Sequence, residues 1–340
     1  MTPIQTLSIG DLPLTRGGLL PGVELSYVAH GTLAPDGGNA ILVTHGYTSG
    51  PSMLSLGHHT AEGSWAPLLG PGLPLDTERF FIVCSNMLGS SFGSTGPASL
   101  NPATGRPWGP DFPRIIVADI VEAQWRLLQR LGVRHLRAVL GPSYGGIQAL
   151  QWALDHPGEV DACGVVVSGL SSPGGLDAEV ARSRYADHPG WHGGWHYGDL
   201  RIRERLFEQR VQTLRHYGLE RLYEERYADP AERKRLLEGG ARQWAERFDP
   251  NSMVVLADAG AGWDVRPRVQ DIRARTLLVQ CTTDAIFPPS PEEQALLQRI
   301  PAPSRYIPFD SPYGHMAPGI EIHRLAGEIR WLIDGADTPD

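Results

Sequence analysis

Lysine is almost missing from this chain. Lys234 is the only one, and it stands in a charged helical stretch, Glu232-Arg233-Lys234-Arg235. A Schiff-base mechanism needs an amine in a desolvated pocket, so that chemistry has almost no candidate. Cysteine is scarce too. Residues 84, 163 and 281 are far apart, and Cys163 and Cys281 lie in or beside apolar runs. That is the pattern of small buried residues, not of a disulfide framework or a CxxC zinc site. No apolar run approaches membrane-spanning length, and Met1 to Gly10 lacks the basic start and apolar stretch of a secretion signal. A cytoplasmic location is therefore expected. No basic block occurs and the net charge is −8, which disfavours nucleic acid and anionic membrane as partners. What remains is a soluble globular composition, 41% hydrophobic and 20% charged. At 340 residues it is long enough for one large α/β domain or a core with an insertion.

The stretch Gly141-Pro142-Ser143-Tyr144-Gly145-Gly146 organises the rest. Leu136 to Leu140 before it reads as a buried strand. After it, Ile147, Leu150, Ala153 and Leu154 recur at helical spacing until Pro157-Gly158. This is G-x-S-x-G in a strand-to-helix turn, which presents Ser143 as a nucleophile beside the positive end of a helix. The Tyr144 amide can then donate to an oxyanion. Upstream, the buried strand Ala40 to Thr44 runs into His45-Gly46-Tyr47-Thr48-Ser49-Gly50, and the Tyr47 amide is the expected second oxyanion donor.

Further strands are expected at Val23–Ala29, Phe80–Ser85, Cys163–Ser168, Thr276–Gln280 and Tyr306–Pro308, with helices over Ile115–Leu131 and about 320–334. Strands alternating with helices imply a parallel sheet. The Gly/Pro-rich passage from Asn86 to Pro113 reads as an ordered loop lining a cleft. Between Asp177 and about Asp249 the chain becomes rich in Arg, Glu and aromatics, with helical stretches near 200–216, 219–227 and 230–247. We read residues 173–249 as a helical cap inserted into a core made of 1–172 and 250–340. His188, His192 and His196 stand four apart, but Pro189, Gly190, Gly193 and Gly194 deny the helix that would make them metal ligands. Ring stacking is expected there, and no metal site.

Asp284 follows the strand ending at Gln280, and His315 follows the last strand. Nucleophile, acid and histidine thus appear in the order of an α/β hydrolase, each at a strand end. His315 would take the Ser143 proton and return it to the leaving group, while Asp284 holds the ring in the useful tautomer.

The chain resembles the homoserine O-acetyltransferase family of α/β-hydrolase-fold enzymes. The matching stretches are Cys84-Ser85-Asn86, Gly93-Ser94-Thr95-Gly96-Pro97, Asn101-Pro102, Trp108-Gly109-Pro110-Asp111-Phe112-Pro113, and the elbow with Gln148 to Ala153. They continue through Asp249-Pro250-Asn251-Ser252, Thr283-Asp284, Phe287-Pro288 and Gly314-His315. The resemblance implies a serine-ester intermediate, no cofactor, acetyl-CoA as co-substrate if the enzyme is a transferase, and a homodimer through the cap. It also implies substrate contacts at Thr48, at the residue after the histidine, and at a cap arginine corresponding to Arg203 or Arg205. Departures bear on the substrate. The elbow reads Pro-Ser-Tyr-Gly where the family has Gly-Ser-Met-Gly, and Met316 replaces an aspartate that meets the amino acid acceptor. An apolar Met316 cannot pair with an ammonium. The sequence therefore leans to hydrolysis of short-chain carboxylic esters, with acetyl transfer to homoserine or a similar hydroxyl as the alternative. A catalytically silent ligand binder is the remote third reading.

Overall fold

The computed structural model describes residues 3–55 and 63–335. The Gly/Ser-rich segment with His58 and His59, expected from sequence to be loop, lies outside them. Eight strands form one sheet: β1 (Gln5–Pro13), β2 (Leu19–His30), β3 (Ala40–Val43), β4 (Phe81–Ser85), β5 (Leu136–Pro142), β6 (Ala162–Val166), β7 (Arg275–Cys281) and β8 (Ser304–Phe309). Their spatial order is β1-β2-β4-β3-β5-β6-β7-β8. The β1–β2 and β2–β4 pairs are antiparallel and every other pair is parallel. The parallel strands read as unbroken apolar runs because both faces are covered. In β3, Leu42 joins the core on one face while Ile41 and Val43 join the core on the other. Val139 and Leu278 side with Leu42, and Leu140 and Val279 with Ile41.

The first core lies under α1 (Val117–Arg130) and α2 (Tyr144–Asp155). Between β6 and β7 the chain makes α3 (Ala178–Ala186), α4 (Ile202–His216), α5 (Leu219–Arg226), α6 (Pro230–Ala245) and α7 (Pro250–Gly260). The three helical stretches expected from sequence agree with α4, α5 and α6 to within two residues. Strand β1 and helices α7 and α8 (Pro291–Leu297) were not anticipated. The single helix expected at about 320–334 is broken. It consists of α9 (Ala317–Ile320), a 3-10 turn (Ile322–Leu325) and α10 (Ala326–Asp334), with Ile322, Leu325, Ile329 and Leu332 buried in the second core.

The 86–113 loop lines a cleft as expected: Pro110, Phe112 and Pro113 wall a cavity of about 460 Å³, distinct from the one that holds Ser143. Strand β4 pairs with β2 only from Tyr27 to His30, so the β2 edge at Glu24 and Ser26 is left open. The loop fills that edge: the amides of Asn86 and Thr95 donate to Ser26 and Glu24 carbonyls at 2.7 and 2.8 Å. Its backbone amides thus pair a sheet edge that would otherwise be bare. The histidines at 188, 192 and 196 form no metal-ligating cluster among the described residues. His196 lies flat on Trp191 with centroids 5.6 Å apart, and His192 meets Asp199 at 2.8 Å. All three cysteines are free and buried.

Candidate active site

Ser143 sits at the C-terminal end of β5, where the sheet order reverses and open α/β sheets place their crevices. Its backbone is strained, with φ 56° and ψ −124°, a conformation that costs a non-glycine residue about 1–3 kcal/mol and persists only where the surroundings enforce it. The enforcement is visible. The Ser143 amide still donates to Val166 in the ladder at 2.9 Å, and α2 begins at the next residue. The flanking glycines answer to crowding from β3. A Cβ on Gly141 would stand 2.2 Å from the Thr44 carbonyl oxygen, and one on Gly145 would stand 2.5 Å from the same atom. Gly146 is closed off by the Ser168 Cβ at 2.6 Å. Thr44 completes the lock by donating its hydroxyl to the Gly145 carbonyl at 2.8 Å.

Two backbone amides stand ready beside the serine. Tyr144 begins α2, and the carbonyl four residues before it, Leu140, accepts the Thr44 amide instead. Tyr47 lies in the loop after β3. Neither amide has an acceptor among the described residues. The two rings stack with centroids 5.8 Å apart. Their hydroxyls donate to Met253 and Leu256 carbonyls of α7, and burial pushes both phenols up, so they remain neutral donors. The Tyr47 loop is held by His45. That fully buried ring accepts the Met87 amide at Nε2 (3.1 Å) and therefore donates from Nδ1 to the Gly46 carbonyl (2.9 Å). Burial lowers its pKa to about 4, so it is a neutral brace. The buried amide chain Trp152–Gln124–Gln148, at 2.7 Å per link, ends on the His45 carbonyl at 3.0 Å. Sequence reasoning passed over these glutamines. Their signal was polarity at buried helical positions, since Gln148 and Trp152 share one face of α2.

Asp284 and His315 meet on the same rim. His315 Nδ1 lies 2.8 Å from Asp284 Oδ2, and both side chains are sealed from solvent. Asp284 Oδ1 accepts the Ile286 amide, and the Thr283 hydroxyl donates to Ser311 and accepts from Gly314, tying the two loops together. His315 Nε2 has no hydrogen-bond partner among the described residues, which leaves its lone pair open to act as a base. No hydrogen bond joins it to Ser143, a contact that commonly tightens only with substrate bound. Tyr217 and Phe287 stand against the imidazole, with centroids 4.7 and 6.1 Å away, and both also wall the Ser143 cavity. That cavity holds about 470 Å³. Its floor is Ser143 with Tyr47, Tyr144 and Ile147, and its outer wall is Leu176, Arg184, His216 and Tyr217. Among the described residues no carboxylate lines it.

The three side chains named from sequence for substrate contact fall elsewhere. Arg205 turns to Asp187 at 3.1 Å. The arginine of the outer helices that reaches Thr48 is Arg210, buried and donating to Oγ1 at 2.9 Å, while Trp244 donates to the Thr48 carbonyl at 3.0 Å. With Arg210 and Thr48 162 positions apart, no local pattern marks the pair. Met316 is buried among Leu214, Leu219, Leu222, Leu237 and Ala241, away from the Ser143 cavity. It borders a separate cavity with Arg210.

Residues 39–318 match the α/β hydrolase fold family. The chain is 35% identical to a homoserine O-acetyltransferase of Moorella thermoacetica, over 94% of this chain and 92% of that one. It is also 35% identical to a homoserine O-succinyltransferase of Bordetella pertussis, over 94% and 85%. Among solved structures, the homoserine O-acetyltransferase of Bacillus anthracis superposes with a TM-score of 0.85 at 24% identity over the whole of both chains. Esterase E22 does so with the same score and identity over 98% of this chain and all of that one. With relatives so similar along nearly its full length, the chain belongs to the homoserine O-acetyltransferase family of α/β-hydrolase-fold enzymes.

Proposed function

We propose that this enzyme moves a short acyl group from a thioester to the hydroxyl of homoserine or a similar acceptor through an ester on Ser143. Ser143 Oγ attacks the acyl carbonyl carbon and its proton passes to His315 Nε2, with Asp284 steadying the imidazolium. The oxyanion is met by the Tyr47 and Tyr144 amides. Collapse breaks the carbonyl–sulfur bond, and His315 returns the proton to the departing thiol. In the second half His315 takes the acceptor's proton, the acceptor oxygen attacks, and Ser143 recovers its hydrogen. Residues 173–249 act as a cap that walls the cavity.

One observation carries the preference over hydrolysis. The sequence argument for water depended on Met316 facing the acceptor, and Met316 is packed away from the Ser143 cavity among leucines. With that argument weakened, the identity to homoserine acyltransferases supports transfer. Acetyl and succinyl relatives are equally similar, so acyl length stays part of the test. Ester hydrolysis remains the second reading because the cavity wall offers no carboxylate to an acceptor's ammonium. The deciding experiment measures CoA release from acetyl-CoA and succinyl-CoA with and without homoserine, beside p-nitrophenyl acetate hydrolysis. Homoserine-dependent release supports transfer. Release indifferent to homoserine, with brisk ester hydrolysis, overturns it in favour of water.

A further inference from the structure

One buried carboxylate takes no part in the chemistry above. Glu293, in the first turn of α8, is 8% exposed and does not line the Ser143 cavity. Its charge is met by amides. Oε1 accepts the Leu170 amide and Oε2 accepts the Gln280 side-chain amide, each at 2.8 Å. Among the described residues no ion pair reaches it; Arg266 pairs with Asp264 at 2.8 Å and Glu292 at 3.8 Å. Burial raises its pKa, and the Leu170 and Gln280 bonds act against that rise. A carboxylate kept dry without a cation is costly, and its worth lies in what its two bonds hold.

Both bonds hold segments that wall the Ser143 cavity. Leu170 follows β6, and the chain runs from it into Pro173, Gly174 and Leu176 of that wall. Gln280 closes the loop that carries Asp284. Its Oε1 accepts the Ser290 amide at 2.9 Å and the Tyr306 hydroxyl at 3.2 Å, while its Nε2 also donates to the Ser168 carbonyl at 3.2 Å. A carboxylate can only accept, so Glu293 dictates which end of the Gln280 amide faces Ser290. Phe287 lies in the closed loop and stands on the His315 ring. Glu293 and Phe287 both crowd Gly169: a Cβ there would lie 2.9 Å from Glu293 Oε1 and 3.2 Å from Phe287 Cδ1.

We propose that Glu293 is a positioning residue whose carboxylate, by orienting Gln280, closes the Asp284 loop and sets Asp284 and Phe287 against His315. This rests on the acyl-Ser143 reading and adds to it a group that touches no substrate.

The test begins with the parent, whose burst on p-nitrophenyl acetate reports acylation of Ser143. No burst sinks the acyl-enzyme reading, and this inference with it. Given a burst, Glu293→Gln sets one amide against another at nearly unchanged shape. It should slow acylation about tenfold with KM within about twofold. The low-field resonance of the His315 Nδ1 proton, which reports its bond to Asp284, should move or broaden. The reciprocal exchange, Gln280→Glu with Glu293→Gln, restores every bond above except the one to Ser168, and should bring acylation to within about threefold of the parent. A purely structural role lowers the melting temperature alone. Acylation at the parent's rate in Glu293→Gln, or an unmoved resonance, therefore overturns the proposal while the acyl-enzyme stands. So does an exchange as slow as Glu293→Gln. Should Glu293→Gln not fold, the exchange decides: a parent-like burst supports the orienting role, and a slow burst or failure to fold overturns it.

Discussion

The floor and the outer wall of the Ser143 cavity are built on different principles. The floor is backbone packed against backbone. Gly141 and Gly145 exist to let the elbow approach the Thr44 carbonyl, and a buried histidine and two glutamines hold the neighbouring loop. The outer helices are held by small apolar clusters and many exposed ion pairs, such as Lys234–Glu238 and Arg221–Glu225. A surface pair of that kind contributes little, whereas a lost ångström at the elbow has nowhere to go. The comparison teaches that chemistry is fixed where the sheet's own geometry sets the atoms. On the proposed cap reading, selection would fall to the outer layer, whose exposed ion pairs contribute little to its stability.

The contrast can be broken at several points. Ser143→Ala should abolish turnover by about 10⁴- to 10⁶-fold while leaving the melting temperature close to the parent's; activity surviving this change would mean the floor is not where the reaction happens. Gly141→Ala drives a Cβ to within 2.2 Å of the Thr44 carbonyl and should cost about 3 kcal/mol in urea unfolding. A neutral result would show that β3 and the elbow can slide apart. His45 sharpens the comparison through pH. Its folded-state pKa of about 4 lies below the ordinary 6.5, so the unfolded chain takes the proton first. Its contribution is complete above about pH 6.5 and is lost as pH falls through about 4, a span of ~3 kcal/mol. The imidazole resonance of His45 should accordingly stay in its neutral position at pH 5; a midpoint near 6.5 would contradict the brace.

Besides the Thr48 contacts, the outer layer meets the floor beside His315, and a change there should have a middling effect. Gly218, between α4 and α5, has φ 93°, and a Cβ on it would lie 2.7 Å from the Tyr313 carbonyl. The Met316 amide donates to Tyr217 at 3.2 Å, and the Tyr217 ring stands on His315. Gly218→Ala should lower kcat about tenfold by shifting the His315 loop, at about 1–2 kcal/mol of stability. If kcat holds while stability falls, the seam carries no information to the histidine. Least of all, Lys234→Ala should leave kcat/KM unchanged and the melting temperature within about 1 °C.

Much of the floor was legible before any coordinates. The elbow, the acid and the histidine each announce themselves by residue type at a strand end, because the strand patterns are local and the glycines and prolines that stop them are local as well. The unanticipated α7 shows where that ends. It opens with Asp249-Pro250-Asn251-Ser252, and Asp249 caps it by accepting the Asn251 amide at 2.8 Å, a start signal present in the sequence. Its closing contacts with Tyr47 and Tyr144, however, join residues over a hundred positions apart. Arg205 was named where Arg210 does the reaching because helix register decides which arginine of α4 turns inward. Only packing against Thr48 and Trp244 sets that register.

By itself, then, the amino-acid order determined seven of the eight strands, the glycine-tight elbow and the Ser143–Asp284–His315 succession at strand ends, since these depend on sterics and periodicity over a few residues. Tertiary structure alone decided that Met316 turns among leucines rather than toward the serine, and that Arg210 of α4 reaches Thr48. Those outcomes depend on which distant surfaces meet, and the free energy that selects them is shared among contacts no local pattern records.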